Sequence, residues 1–267
     1  MFRFSKKGPV EFLEATELSS CDFLIHAFCT RRDGVSEGRF VSLNFSSREG
    51  DDIENVRQNW QILAAAFNIE VGHFFAVNQV HGDRILIIDH PVNDITSNQP
   101  HKCDAIITDQ PELAIGIKTA DCVPIFFADK TKRIAGVAHA GWKGTSLNIA
   151  AKVVDAFLKK FSCRTDDIVA VIGPAIGPCC YQVDEIVFDS MKEDKNRESF
   201  FSPCCKQGHW MFDLPLANRH QIIGRGIPEA NVLTTDYCTS CNTGFFFSHR
   251  REGGSTGRQF NFIMLKS

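Results

Sequence analysis

Three side chains in this sequence have the chemistry to hold a catalytic metal ion: His81, Cys122 and His139. Each stands at the end of an apolar run. Residues 74–80 lead to His81-Gly82-Asp83, residues 113–118 run into Thr119-Ala120-Asp121-Cys122, and residues 134–138 deliver His139 into Ala140-Gly141-Trp142-Lys143-Gly144-Thr145. Side chains at strand ends are held by a sheet yet open to solvent, where sites collect in mixed α/β folds. Two imidazoles and one thiolate leave a fourth tetrahedral position free, the arrangement of catalytic zinc. With a weak axial ligand the same set suits copper. A metal-free chemistry uses the same residues: Cys122 as a thiolate nucleophile, His139 or His81 as its base and Asp121 as an orienting carboxylate, as in a cysteine hydrolase or deamidase. Spacing alone leaves the zinc and thiolate readings equally open.

Further residues have the chemistry of anion recognition. The turn Gly141-Trp142-Lys143-Gly144-Thr145 precedes a helical pattern, and N–H groups at a helix start beside a lysine suit a phosphate. It lacks the spacing of a Walker loop, and serves equally as an ordinary strand-to-helix turn capped by Thr145 or Ser146. Arg250, Arg251 and Arg258 share one glycine-rich loop, and Arg48 follows a serine-rich one. Guanidinium groups grip phosphate or carboxylate with two hydrogen bonds. Cys238-x-x-Cys241 is a lone C-x-x-C, and the adjacent pairs Cys179-Cys180 and Cys204-Cys205 do not supply the second knuckle of a zinc ribbon. No second metal or redox centre is expected there.

The elements that must position these groups alternate along the chain. Strands are expected over 23–30, 74–80, 84–89, 113–118, 134–138, 167–173, 232–235, 245–248 and 259–265, with helices from about 51–67, 146–161, 184–192 and 214–223. Asp51-Asp52 can cap the first helix, whose apolar residues Val56, Trp60, Leu63 and Phe67 fall on one face. Ile149, Val153, Phe157 and Phe161 repeat every four residues in the second. Residues 91–102 read as a long polar loop, and residues 174–181 as a turn too rich in proline and glycine to be regular. No repeat, low-complexity linker or boundary divides the chain. The expectation is an α/β or α+β protein folding as one domain over residues 1–267.

Composition narrows the function classes. A net charge of -3 with no basic block gives no footprint for nucleic acid. No apolar run approaches a membrane span, and the first residues lack the apolar core of a signal peptide. Eleven cysteines without a secretory signal read as reduced thiols, so a cytoplasmic setting is expected. Twenty-three phenylalanines against two tyrosines point to thick apolar layers whose rings need no hydrogen-bond partner.

Taken together, several blocks resemble one family. They are Ser42-Leu43-Asn44, Asn78-Gln79-Val80-His81-Gly82, Thr119-Ala120-Asp121-Cys122-Val123-Pro124, His139-Ala140-Gly141-Trp142-Lys143-Gly144, the run from Ile172 to Tyr181, Ser248-His249-Arg250-Arg251 and Thr256-Gly257-Arg258. In this order they are similar to the YfiH-like family, also called the laccase-domain or polyphenol oxidase family, which includes human FAMIN as a relative. The resemblance implies a four-layer α/β/β/α sandwich with mixed sheets. It implies zinc on His81, Cys122 and His139, and purine nucleoside chemistry: phosphorolysis of adenosine, inosine, guanosine and methylthioadenosine, and deamination of adenosine to inosine. The expected partners are nucleosides and phosphate, with the protein a monomer or weak homodimer. In that scheme Asp121 shuttles the proton for attack of water at C6 of adenine, Lys143, Arg48 and Arg250 hold phosphate against C1′, and Asn44 meets base or ribose. The extra Glu252-Gly253-Gly254-Ser255 resembles an insertion before Thr256. A laccase mechanism fails on ligand supply: a multicopper centre needs a large imidazole set with His-x-His pairs, and this chain has nine histidines and no such pair.

Overall fold

The structure, a computed structural model, describes residues 1–90 and 101–267. Most of the polar loop expected over 91–102 therefore lies outside the described residues. Two six-stranded mixed sheets form the centre. The first has the order Phe2–Lys7, Val10–Ala15, Leu24–Cys29, Gln259–Leu265, Ala114–Thr119, Phe74–Ala76. The second has the order Val232–Thr234, Ile168–Ile172, Val123–Asp129, Ile134–Ala140, Ala105–Thr108, Ile85–Ile88. The closing strand Gln259–Leu265 pairs antiparallel with both Leu24–Cys29 and Ala114–Thr119, so the C-terminus is woven into the middle of the first sheet.

The layers follow from which face each strand buries. Phe28, Ile115, Ile117 and Ile263 of the first sheet meet Ile106, Phe126, Val137 and Val171 of the second in the inter-sheet core. The rings of Phe28 and Phe126 stack at 4.2 Å there. Helix Ile53–Phe67 covers the outer face of the first sheet, burying Leu63 and Phe67 against Phe12, Phe260 and Phe262. Helices Ile149–Lys160 and Leu214–Ile223 cover the second, with Val153 and Phe157 on its outer residues. The result is the expected four-layer α/β/β/α arrangement, and the phenylalanines fill its layers.

Where the elements differ from expectation, local chemistry gives the reason. The helix expected over 146–161 is two, Trp142–Ser146 and Ile149–Lys160, because Asn148 takes a left-handed conformation at φ 61° between them. The strand expected over 74–80 stops at Ala76. Residues 245–248 are not a strand: the N–H groups of Phe245 and Phe246 bond back to the carbonyl of Asn242 in a turn, and the residues after it are irregular. Buried Phe246 and Phe247 anchor this turn by packing. The N-terminal hairpin, the strand Val123–Asp129 and a small sheet of Gln182–Asp184, His209–Phe212 and Phe201–Pro203 were not anticipated. Among the described residues, no helix is long and apolar enough to cross a membrane.

Candidate metal centre and active site

The three expected ligands converge. One donor atom each from His81, Cys122 and His139 lies within 4.8 Å of the others, although up to 58 positions separate them in sequence. Cys122 closes the crossing from strand Ala114–Thr119 to strand Val123–Asp129, and His139 projects from the neighbouring strand Ile134–Ala140, with Pro124 as its cross-strand partner. His81 reaches them from a turn in which its own backbone is left-handed, at φ 58°. Such a conformation on a non-glycine residue persists only where surroundings hold it.

The residue that holds it is Asp104, which the sequence reading missed. Its carboxylate accepts the N–H groups of His81 (2.9 Å), Gly82 (2.7 Å) and Val80 (3.3 Å), and sits 2.9 Å from Nδ1 of His139. Burial opposes its charge, but hydrogen bonds from His139 and the Gly82 and Val80 N–H groups outweigh it and keep the carboxyl below its ordinary range. With Nδ1–H donated to Asp104, Nε2 of His139 is the free ligand atom. A fully buried aspartate entering the apolar run Ala105–Thr108 was the available signal.

Gly141 packs directly against two of the donors. A Cβ there would lie 3.1 Å from Sγ of Cys122 and 3.2 Å from Cδ2 of His81, so any side chain would crowd both. Burial alone would raise the Cys122 thiol, but the His139 charge and hydrogen bonds from both histidines bring it down to about 6. Burial opposes protonation of His139, while the Cys122 thiolate and Asp104 raise it to about 9. The site thus favours a thiolate, the form that ligates metal. Two imidazoles, one thiolate, an oriented histidine and a glycine-shaped gap fit a tetrahedral ion with one open position.

The centre opens on a cavity of about 570 Å³, within the range of small-molecule sites. Aromatic groups including Phe45, Trp60 and Tyr181 line one part, and four cations face it: Arg48, Lys118, Arg250 and Arg258. Arg48 donates to Asn78 (2.7 Å), and Arg258 is paired with Glu49 at 2.7 Å. Arg250 donates to the Gln182 carbonyl (2.6 Å) and lies 5.1 Å from the Tyr181 ring centroid. Lys118, also unanticipated, emerges from a buried strand; burial and the neighbouring Arg48 lower its ammonium to about 8 against the pull of Glu49. A lysine inside the run Ala-Ile-Gly-Ile-Lys-Thr was its signal.

Two expected site residues, Asn44 and Lys143, stand off the cavity wall. Asn44 is fully buried and outside the cavity wall. Its amide donates to the Ser46 carbonyl and Asp51, and its oxygen accepts the N–H groups of Ser46 and Arg258, so it has no capacity left for base or ribose. It shapes the loop that carries Arg48. Lys143 is exposed on the short helix Trp142–Ser146, 5.3 Å from the Trp142 ring, and does not line the cavity. Its side chain follows the helix outward, which removes it from a phosphate cradle. Asp121 does line the cavity, but both its oxygens are engaged, by Thr239 Oγ1 (2.6 Å) and the Arg250 N–H (2.6 Å). Arg251 is turned away to the carbonyls of Thr239 and Phe246.

An ion-ready centre in a four-layer frame, opening on a cationic and aromatic cavity, is the architecture of a metal-associated α/β enzyme. Residues 25–266 match the family described as multi-copper polyphenol oxidoreductase laccase, and the chain belongs to that family. It is 36% identical over 244 residues to the purine nucleoside phosphorylase YlmD of Geobacillus stearothermophilus, covering 88% of this chain and 87% of the relative. It is 31% identical over 264 residues, 94% of this chain and 99% of the relative, to adenosine deaminase RL5 from an unknown prokaryotic organism. The crystal structure of the Bacillus licheniformis hypothetical protein YfiH superposes with a TM-score of 0.91 at 35% identity, covering 98% of this chain and 99% of that one. The described residues contain no clustered imidazole set to match the copper in the family's description: the metal-competent groups are His81–Cys122–His139 and a set of four cysteines.

Proposed function

We propose that this enzyme binds zinc through His81, Cys122 and His139, cleaves purine nucleosides with phosphate to free base and pentose 1-phosphate, and deaminates adenosine to inosine. The observation that carries the reading is the three-donor centre facing a cavity lined by both aromatic rings and cationic side chains. When bound, the ion supplies Lewis-acid chemistry at that position. The chain's own residues do the rest. Aromatic walls take the purine, and Lys118 with Arg48 and Arg250 holds a phosphate dianion, which attacks C1′ as the bond to the purine nitrogen breaks and its electrons pass to the base. Asp104 keeps the His139 ring and the His81 turn in place. We assign Asp121 to positioning rather than proton shuttling, since it ties Thr239 and the Arg250 backbone to the cavity wall. The one thiol of the centre, Cys122, must stay reduced to act as a donor, which supports a cytoplasmic setting.

One observation favours a second reading. Cys122, His139 and Asp104 stand in the order of a thiolate–imidazole–carboxylate triad, with the thiol lowered to about 6. His81 as third donor and the gap at Gly141 favour the metal. The deciding experiment assays adenosine and inosine with and without phosphate, before and after chelation. Phosphate-dependent release of base, lost with chelator and restored by zinc, is expected. Activity indifferent to chelator but abolished by thiol alkylation would instead establish the cysteine mechanism.

A further inference from the structure

A second group of thiols converges on the far side of the cavity wall. Cys179 and Cys180 belong to the irregular turn after strand Ile168–Ile172, and Cys238 and Cys241 to the loop after strand Val232–Thr234. Their four sulfurs all lie within 4.8 Å of one another. Cys241 Sγ is 3.6 Å from that of Cys179 and 3.4 Å from that of Cys180. A disulfide needs about 2.05 Å, whereas four thiolates around zinc at about 2.3 Å stand roughly 3.8 Å apart along the tetrahedral edges. The two Cys241 separations exclude the first geometry and lie close to the second, and the remaining separations fall below 4.8 Å.

The backbone is arranged to match. The Gly177 N–H donates to Sγ of Cys238 (3.2 Å), a bond that stabilises thiolate charge. A Cβ on Gly177 would meet Cys238 Cβ at 3.3 Å and Cys179 Sγ at 3.5 Å, so the cluster and this glycine share one tight space. The adjacent cysteines, which sequence spacing ruled out as a knuckle, lie in a hydrogen-bonded turn that brings both sulfurs to the same side. Cys179 and Cys241 are exposed and Cys238 is buried, so an ion can enter from solvent and be held against the fold.

We propose that Cys179, Cys180, Cys238 and Cys241 form a structural tetrathiolate zinc site. All four coordination positions are filled by sulfur, which marks a closed, non-catalytic centre. Its place in the fold defines its use. The first loop supplies Ile176 and Tyr181 to the cavity, and the second leads through the turn at 242–246 to His249 and Arg250. The two loops are also joined by the Gly177 N–H to Cys238 Sγ, by the Thr239 N–H to the Ala175 carbonyl (2.9 Å) and by the isolated bridge between Ala175 and Cys238. Zinc would clamp them, fixing one wall of the cavity without touching substrate.

The test uses full-length protein purified under reductant and supplied with zinc. The wild type is expected to hold two equivalents, and Cys122→Ala and Cys241→Ser one each. Cobalt substitution of Cys122→Ala, which leaves this cluster untouched, should give the absorption of a tetrahedral tetrathiolate, and the signature should vanish in Cys122→Ala/Cys241→Ser. Loss of the ion should also accelerate limited proteolysis within 238–250. A Cys122→Ala protein that folds, takes up no metal and shows no thiolate-to-cobalt band would overturn the proposal. So would a non-reduced digest in which Cys241 is disulfide-linked to Cys179 or Cys180 in metal-free, reductant-purified protein.

Discussion

Nδ1 of His139 lies 2.9 Å from Oδ1 of Asp104, and the same carboxylate collects the N–H groups of His81 and Gly82. One buried side chain therefore fixes the orientation of one candidate donor and the backbone of another. Asp104→Ala should weaken zinc binding about 10–100-fold, the usual cost of losing an orienting carboxylate. It should also lower stability, by less than the full penalty of about 1–3 kcal/mol per buried N–H, because the freed N–H groups are only part-buried. Competitive zinc titration and urea unfolding read the two effects separately. An unchanged zinc affinity would show that Asp104 serves the fold alone.

Gly141 offers a test that leaves every donor in place. Its backbone angles, φ -75° and ψ 173°, suit any residue, so alanine brings no conformational strain. The added methyl would instead press on Cys122 and His81 at 3.1 and 3.2 Å. Gly141→Ala should fold with the wild-type spectrum, lose about 1–3 kcal/mol from crowding, and bind zinc more weakly while keeping all three ligands. Full zinc affinity in this variant would argue for a site in which Cys122 and His81 do not act together.

Asp121 separates two roles by comparison with its partner. If Asp121 positions the loops through Thr239 and Arg250, then Asp121→Asn and Thr239→Val should act alike, raising KM in both the phosphorolytic and deaminating reactions. A proton shuttle would behave differently: Asp121→Asn would abolish deamination selectively and lower kcat, while Thr239→Val, which leaves the carboxylate in place, would spare it.

What could be read from the chain and what could not divide along physical lines. The convergence of His81, Cys122 and His139 was legible in part: Cys122 and His139 stand at the ends of neighbouring strands, whereas His81 lies in a turn five residues beyond Ala76. Helix Ile53–Phe67 was legible because Asp52 caps it, accepting the Glu54 N–H at 2.8 Å, and because its apolar face repeats. Asn44 was misassigned because a polar residue in a loop looks the same whether it faces a ligand or satisfies its own backbone. Lys143 was misassigned because a short helix turns its side chain away from the strand end it follows. Asp104 and the four-sulfur cluster escaped because Asp104's partners lie 22 or more positions away and the two cysteine pairs 58 or more apart, and only the folded sheet order brings them together.

Lys118 gives the site a pH dependence. Burial, reinforced by Arg48 and opposed by Glu49, lowers its ammonium to about 8, so the charge is present below that pH and lost above it. Phosphate is already a dianion there, so its own titration does not obscure the effect. If Lys118 holds phosphate, the KM for phosphate should stay flat up to pH 8 and then rise by up to about tenfold per pH unit. Lys118→Met should raise that KM at neutral pH and flatten the alkaline limb. Lys118→Arg, charged throughout the range, should remove the limb while retaining phosphate use. The sign for stability follows from the same numbers: between about pH 8 and the ordinary lysine value near 10.4, the unfolded chain binds the extra proton, so this lysine adds stability as pH rises through that window. Steady-state kinetics across pH 6.5–9.5 in the wild type and both variants would decide the matter, and a phosphate KM with no alkaline rise in the wild type would remove Lys118 from the phosphate site.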